Sequence, residues 1–262
     1  MTTYTLTQGR VPLLISMPHN GQQIPPDIAA MMQPFALTVP DTDWYLDRLY
    51  AFAKDLGCGL INPVNSRYVI DLNRPPDNAV LYAGANNTEL CPTSAFDLRS
   101  LYRDGKTPDE TEVARRIDLY WRPYHRALQQ ELARLKAEHG YAILFEAHTI
   151  RSQVPRFFDG RLTDINFGTA DGASCGDTLR DAFTAVDTGH YSNVLNGRFK
   201  GGYITRHYGK PADHIHAVQL ELTQINYLNE DTFEWNADEA EKIAAVLKQI
   251  IANLIAAKLK PN

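Results

Sequence analysis

Short apolar runs alternate along this chain with longer amphipathic stretches. Pro12 to Met17 is almost wholly apolar and reads as a buried strand. Gly21 to Pro40 carries Pro25, Pro26, Pro34 and Pro40, so it reads as loop with at most a short helix near Ile28 to Met32. Asp41-Thr42-Asp43 then has the character of a helix start, and Leu46, Leu49, Tyr50 and Ala53 follow at helical spacing up to Gly57. Gly59 to Asn62 and Arg67 to Leu72 are short strand candidates. Residues 73–108 are rich in Asn, Pro, Asp and Thr and predict a long ordered loop near a site, because loops of that length in compact domains are mostly functional or disordered. Pro108 to His139 is the clearest helix. Val113, Ile117, Tyr120, Trp121, Tyr124, Leu128, Leu132 and Leu135 recur there at steps of mostly three and four, and Gly140 stops it.

A strand carrying Tyr141 to His148 follows. Residues 151–172 form a polar loop with a strand candidate at Asp164 to Phe167. Asp177 to Val186 predicts a helix, and Gly201 to His207 and His216 to Leu222 are strand candidates. Ala237 to Leu259 closes the chain as an amphipathic helix, with Ala240, Ile243, Leu247, Ile250, Leu254 and Ile255 on one side. With no internal repeat and no obvious linker, the 262 residues predict a single domain. The expected class is α/β, in three layers, with a mixed, mostly parallel sheet between helices.

Composition narrows the function classes. Hydrophobic residues make up 44% and charged residues 22%, a globular balance with a sizeable core. A formal net charge of −5 offers no basic field for a phosphate backbone, so nucleic acid is not an expected partner. Cys58, Cys91 and Cys175 show neither a disulfide framework nor a CxxC pair. The first residues lack the basic start and apolar stretch of a secretory signal, and no apolar run approaches the ~20 residues of a membrane span. A cytoplasmic chain without a membrane partner is expected.

The chemistry sits where polar residues end or interrupt apolar runs. His19 follows Leu13–Met17 and Pro18 and precedes the turn signal Asn20-Gly21; it is either a ligand or a surface turn histidine. His148 shares a strand face with Glu146, since strand side chains repeat every two residues. That pair is either a metal ligand with a nearby carboxylate or a simple hydrogen-bonded couple. Asp41 and Asp43 exceed what one helix cap needs, which makes Asp43 a third ligand candidate. Arg67, Asp71 and Asn73 alternate with apolar residues, and Arg74 lies just beyond. They suit a carboxylate clamp or, equally, an Arg67–Asp71 ion pair. Glu221 sits amid Leu220 and Leu222, where a desolvated carboxyl suits a general base; a salt bridge on a sheet face is the alternative. Gly201-Gly202-Tyr203-Ile204-Thr205-Arg206 is glycine-rich without a phosphate-loop pattern, and Arg206 is a weaker second cationic contact. No cysteine lies in a recognisable nucleophile motif.

These stretches resemble the N-formylglutamate amidohydrolases of histidine breakdown. The likeness rests on Ser16-Met17-Pro18-His19-Asn20-Gly21, Asp41-Thr42-Asp43-Trp44, Ser66-Arg67-Tyr68-Val69-Ile70-Asp71-Leu72-Asn73-Arg74, Glu146-Ala147-His148, Gly201–Arg206 and Gln219-Leu220-Glu221-Leu222, in that order. It implies an α/β hydrolytic fold distantly similar to zinc carboxypeptidases and aspartoacylases. It also implies zinc-dependent hydrolysis of N-formyl-L-glutamate to formate and L-glutamate. His19 and His148 would be ligands. The position three after His19, where those relatives hold a carboxylate, is Gln22, so Asp43 is taken as the third ligand, with Glu146 behind it. Glu221 would be the general base and Arg67 the oxyanion contact. Asn73 and Arg74 would bind substrate carboxylate, with Arg151 and Arg206 as further contacts. Two rivals stand beside this: a deacylase of another N-acyl amino acid, and a non-catalytic binder of acidic metabolites with a degenerate metal site.

Overall fold

The computed structural model describes residues 2–80, 86–257 and 259. Seven strands form one sheet: β1 (Tyr4–Thr7), β2 (Leu13–Ser16), β3 (Gly59–Pro63), β4 (Ala142–Ile150), β5 (Ile165–Gly168), β6 (Asn193–Leu195) and β7 (Ile215–Thr223). Their spatial order is β1-β3-β2-β4-β7-β5-β6. The pairings β2–β3, β2–β4, β4–β7 and β5–β6 are parallel, whereas β1–β3 and β5–β7 are antiparallel. The sheet is therefore mixed and mostly parallel. From β2 the chain turns to one side to build β3 and then crosses to the other side to build β4. This reversal puts a topological switch point at β2/β4, where α/β sheets place ligands outside the carboxyl ends of the strands.

Helices cover both faces, which explains why the central strands read as unbroken apolar runs. Leu13 and Ile15 of β2, Phe145 of β4 and Val218 and Leu220 of β7 belong to one core, closed by α2 (Leu46–Leu49), α5 (Asp177–Thr184) and α7 (Ala237–Ala256). The alternate residues Leu14, Leu144 and Ala217 point into a second core, closed by α1 (Pro26–Ala29), α3 (Glu110–Arg116), α4 (Arg122–His139) and α6 (Tyr203–Tyr208). The α7 stripe behaves as its spacing predicts: Ile243, Leu247, Ile250 and Leu254 have no exposed surface. Burial of one such side chain contributes roughly 1.5–3 kcal/mol. Among the described residues, no helix is long and apolar enough to cross a membrane.

Several local expectations are corrected. Arg67 to Leu72 is not a strand but a series of turns; its alternation of polar and apolar residues reflects a loop pinned at every other position. Gly201 to His207 is not a strand either, because α6 begins at Tyr203 once Gly202 has allowed a close backbone approach. The helix expected from Asp41 to Gly57 is shorter: α2 spans one turn and a 3₁₀ turn follows at Ala51–Ala53. α5 ends at Thr184 rather than Val186, and α7 at Ala256. Strands β1 and β6 carry too few residues to stand out in the pattern. The stretch 73–108 contains no helix or extended strand among its described residues; residues 81–85 lie outside them.

The long helix is interrupted. Between α3 and α4, Ile117–Trp121 form a π turn in which Arg122 N–H donates to the Ile117 carbonyl five residues back. The hydrophobic spacing carries straight through it.

Candidate active site

Three adjacent parallel strands deliver the chemistry at their carboxyl ends. β2 runs into Met17-Pro18-His19, and Met17 N–H donates to the Ile61 carbonyl of β3, so the chain leaves the sheet still anchored to it. His148 lies near the end of β4 and Glu221 near the end of β7, directly opposite each other in register. Asp43 arrives from the loop before α2, and its N–H donates to the His19 carbonyl (3.1 Å). The left-handed backbone of Tyr45 (φ 60°) ends that loop. Asp43 is thus no helix cap. Asp41, which looked equivalent, instead accepts from Tyr68 Oη (2.6 Å) and Phe96 N–H (2.8 Å).

His19, Asp43 and His148 are all buried, and their candidate ligand atoms lie within 4.8 Å of one another. Asp43 Oδ2 is 3.0 Å from His148 Nδ1 and 3.8 Å from His19 Nδ1. The far nitrogen of each imidazole faces a carboxylate: His19 Nε2 donates to Asp71 Oδ1 (2.7 Å) and His148 Nε2 to Glu146 Oε1 (2.8 Å). Carboxylates only accept, so both Nε2 atoms carry hydrogen and both Nδ1 atoms are directed at Asp43. Metal-ligating histidines are held by such a carboxylate–imidazole arrangement. Two imidazoles and one carboxylate also form a three-ligand set that leaves a coordination position open for catalysis. The donor set therefore fits a divalent cation.

The electrostatics agree with that fit. Burial and the Arg67 cation lower the His19 pKa, which keeps its Nδ1 lone pair bare. Burial also opposes charge on His148, but Glu146 and Asp43 outweigh it and raise its pKa well above the ordinary value. A proton on Nδ1 is donated to Asp43 Oδ2 (3.0 Å). Asp71 is held well below the usual carboxylate range: burial opposes this, and His19 and Arg67 overcome it. Burial pushes the Glu221 carboxyl up to about 8; His148 and Arg67 oppose the shift while Asp43 and Glu146 add to it.

A loop held from outside supplies the next layer. Asp71 accepts from His19, from Asn73 N–H (2.8 Å) and from Arg67 Nη2 (2.7 Å), so one carboxylate orients a ligand, an amide and a guanidinium. Arg67 Nη1 is 3.9 Å from Asp43 Oδ1. The long helix grips this loop by its carbonyls: Arg116 Nη1 donates to Val69 O (3.0 Å), His125 Nε2 to Leu72 O (2.9 Å) and Trp121 Nε1 to Arg74 O (3.0 Å). Beneath the site, α6 turns its first N–H groups inward. Ile204 N–H donates to Asn73 Oδ1 (2.9 Å) and Thr205 N–H to Glu146 Oε2 (3.1 Å). A Cβ on Gly202 would meet Asn73 Nδ2 at 2.3 Å, which is why glycine stands there.

The resulting cleft is open to solvent and spans about 630 Å³ of empty space, its mouth included. It is lined by the ligand candidates with Arg67, Asn73, Arg74, Arg198, Gln219 and Glu221, and by Phe96, Phe157 and Phe199. Of the residues expected from sequence, His19, Asp43, Arg67, Asn73, Arg74, His148 and Glu221 all meet here. Arg151 does not line the cleft: it is 40% exposed and paired with Asp231 (3.1 Å). Arg206 is exposed on α6, bonded to the Gly201 carbonyl, and does not line the cleft either. Gln22 is exposed, and Glu146 backs a ligand candidate from behind. Sequence reading missed Arg198, and the only signal for it was a lone arginine between Gly197 and Phe199. It took Asp71 for an ion-pair partner alone.

Comparison with known proteins accords with this arrangement. The sequence model of the N-formylglutamate amidohydrolase family matches residues 11–228. The chain belongs to that family. Among similar amidohydrolases, the N-formylglutamate deformylase of Pseudomonas aeruginosa is 52% identical over 252 residues, covering 95% of this chain and 94% of the relative. That of Pseudomonas putida is 49% identical over the same span. The crystal structure of an N-formylglutamate amidohydrolase from Ralstonia eutropha shares the fold, with a TM-score of 0.80 at 23% identity and 98% of both chains covered. A protein of Agrobacterium tumefaciens does so at 0.75 and 17%.

Proposed function

We propose that this amidohydrolase cleaves N-formyl-L-glutamate to formate and L-glutamate, with a zinc ion held by His19, Asp43 and His148. The observation that carries the reading is the convergence of both Nδ1 atoms on Asp43, each imidazole backed by a carboxylate, beside a buried Glu221. Relatives at about half identity are named for this reaction.

A divalent cation bound there would acidify water and polarise the formyl carbonyl. The remaining chemistry falls to the chain. Glu221, poised near neutrality by its burial, accepts a proton from the attacking water and delivers it to the amide nitrogen as the C–N bond breaks. Arg67, held by Asp71, presents a fixed positive charge to the oxygen that becomes anionic. Asn73 and Arg74, on the helix-gripped loop, bind a substrate carboxylate and orient the amide. The three cysteines are buried and free, in keeping with a cytoplasmic enzyme.

Metal analysis of the purified chain together with a formate-release assay tests the proposal. About one zinc per chain and loss of activity on chelation are expected. Full activity without metal, or no formate from N-formyl-L-glutamate, overturns it.

A further inference from the structure

Three arginines line the cleft, and their hydrogen-bond commitments differ. Arg67 spends its fork on Asp71 and its charge on Asp43. Arg74 donates through Nε to the Thr88 carbonyl (3.0 Å), through Nη2 to Thr88 Oγ1 (3.0 Å) and through Nη1 to its neighbour's carbonyl (3.2 Å). Arg198 donates only through Nε, to the Phe157 carbonyl (2.7 Å). Among the described residues its two terminal nitrogens have no hydrogen-bond partner and no carboxylate lies within ion-pair distance. Yet the side chain is fixed: Nε is anchored, and the guanidinium lies 5.3 Å over the Phe199 ring. The Phe157 carbonyl is itself on a pinned loop, because Arg156 Nη1 donates to Ser94 Oγ (3.0 Å) and the Ala95 carbonyl (2.8 Å). A guanidinium with its end-on fork open, its stem fixed and aromatic walls around it is built to receive a carboxylate in bidentate fashion.

We propose that Arg198 is the specificity-determining residue that reads the side-chain carboxylate of the substrate, leaving the α-carboxylate to Asn73 and Arg74. The assignment rests on the reading of the cleft as an N-formylglutamate site and deepens it. Reach decides which arginine takes which group. In an N-acyl glutamate the α-carboxyl carbon is two bonds from the scissile nitrogen, and the side-chain carboxyl carbon is four. Asp71 anchors both the ligand candidate His19 and the Asn73 N–H (2.8 Å), so Asn73 and the adjoining Arg74 are tied to the ligand set whose cleft they line. Arg198 comes from the loop after the edge strand β6 and is half-buried at the cleft wall, where the longer arm arrives.

The test compares Arg198→Gln and Arg198→Lys with the unaltered enzyme on N-formyl-L-glutamate and N-formyl-L-glutamine. Removing one partner of a desolvated charge pair is expected to lower kcat/KM for N-formylglutamate on the order of a hundredfold. The loss should appear mainly in KM, with N-formylglutamine turnover changing less than threefold. The lysine variant should recover part of the loss. Calorimetric binding of L-glutamate and L-glutamine to the same proteins gives a readout independent of turnover. Only L-glutamate binding should weaken in Arg198→Gln. Equal losses on both ligands, or no loss on either, overturn the assignment. Absence of N-formylglutamate hydrolysis in the unaltered enzyme instead overturns the activity, and the calorimetric difference then decides the role of Arg198 by itself.

Discussion

His148 and Glu221 are register partners on adjacent parallel strands, so the sheet's own hydrogen-bond ladder sets a buried carboxyl beside an imidazole of the candidate metal site. Their spacing does not depend on any loop. Glu221→Gln should therefore keep the fold and a near-normal metal content while turnover falls by about 10²–10⁴. Metal analysis and kcat on the same preparation check it. Near-normal turnover would remove Glu221 from the role of base.

Asp71 is expected to act through His19. In Asp71→Asn the amide oxygen still accepts from His19 Nε2, but the negative charge that holds the imidazole and Arg67 in place is lost. Zinc affinity, measured by competition with a chromogenic chelator, should fall about 10–100-fold. Unchanged affinity would show that the His19–Asp71 contact does not tune the metal site.

Trp121 does not line the cleft, yet its indole N–H holds the Arg74 carbonyl and its ring stacks on His125 at 3.7 Å. Trp121→Phe keeps the stack and loses the hydrogen bond. KM for N-formylglutamate should rise several-fold with kcat within about twofold, the split expected when a binding arm loosens. Steady-state kinetics decide; an equal fall in kcat would mean that the loop positions the reacting groups as well.

His125 predicts a pH signature in stability. Its Nε2 donates to the Leu72 carbonyl, so its Nδ1 accepts from Tyr208 Oη (2.9 Å), and burial lowers its pKa to about 3. The unfolded chain binds a proton at this residue below about 6.5 while the native chain does not. Stability contributed by His125 is complete above that pH and is lost as pH falls from 6.5 towards 3, by an amount on the order of a few kcal/mol. His148, with its raised pKa, acts in the opposite sense, so the comparison must be with a variant. Urea unfolding of His125→Gln between pH 7 and 4.5 should show a shallower decline than the unaltered chain. Parallel declines would contradict the neutral, buried histidine.

What the sequence disclosed depended on whether a residue's environment is written beside it. His19, His148 and Glu221 stood out because each ends or interrupts an apolar run that has to be buried. The two long helices were legible because their stripes repeat over many turns. Asp43 was ambiguous, because a carboxylate before a helix has a common local use, and only the chain path showed it facing two imidazoles. Arg67 to Leu72 imitated a strand because Asp71 and Asn73 turn inward by tertiary hydrogen bonding, which gives the same alternation as a pleat. α6 was mistaken because Tyr203, Ile204 and Thr205 favour strands, while its start is fixed by the contact of Gly202 with Asn73. Arg198 carried no periodic signal, since its place is set by one carbonyl on a distant loop.

The π turn at Ile117–Trp121 ties the grip on the 69–74 segment to a wider winding of the helix. Residues five apart in an ordinary α-helix are rotated by roughly 140° from one another, so Arg116 and Trp121 would point to different sides. The wider turn brings both to bear on the 69–74 segment. Wound as a regular α-helix, the same residues could grasp the segment at one end or the other, never both. The wide turn is what lets a single rod hold the segment through Arg116, Trp121 and His125 together.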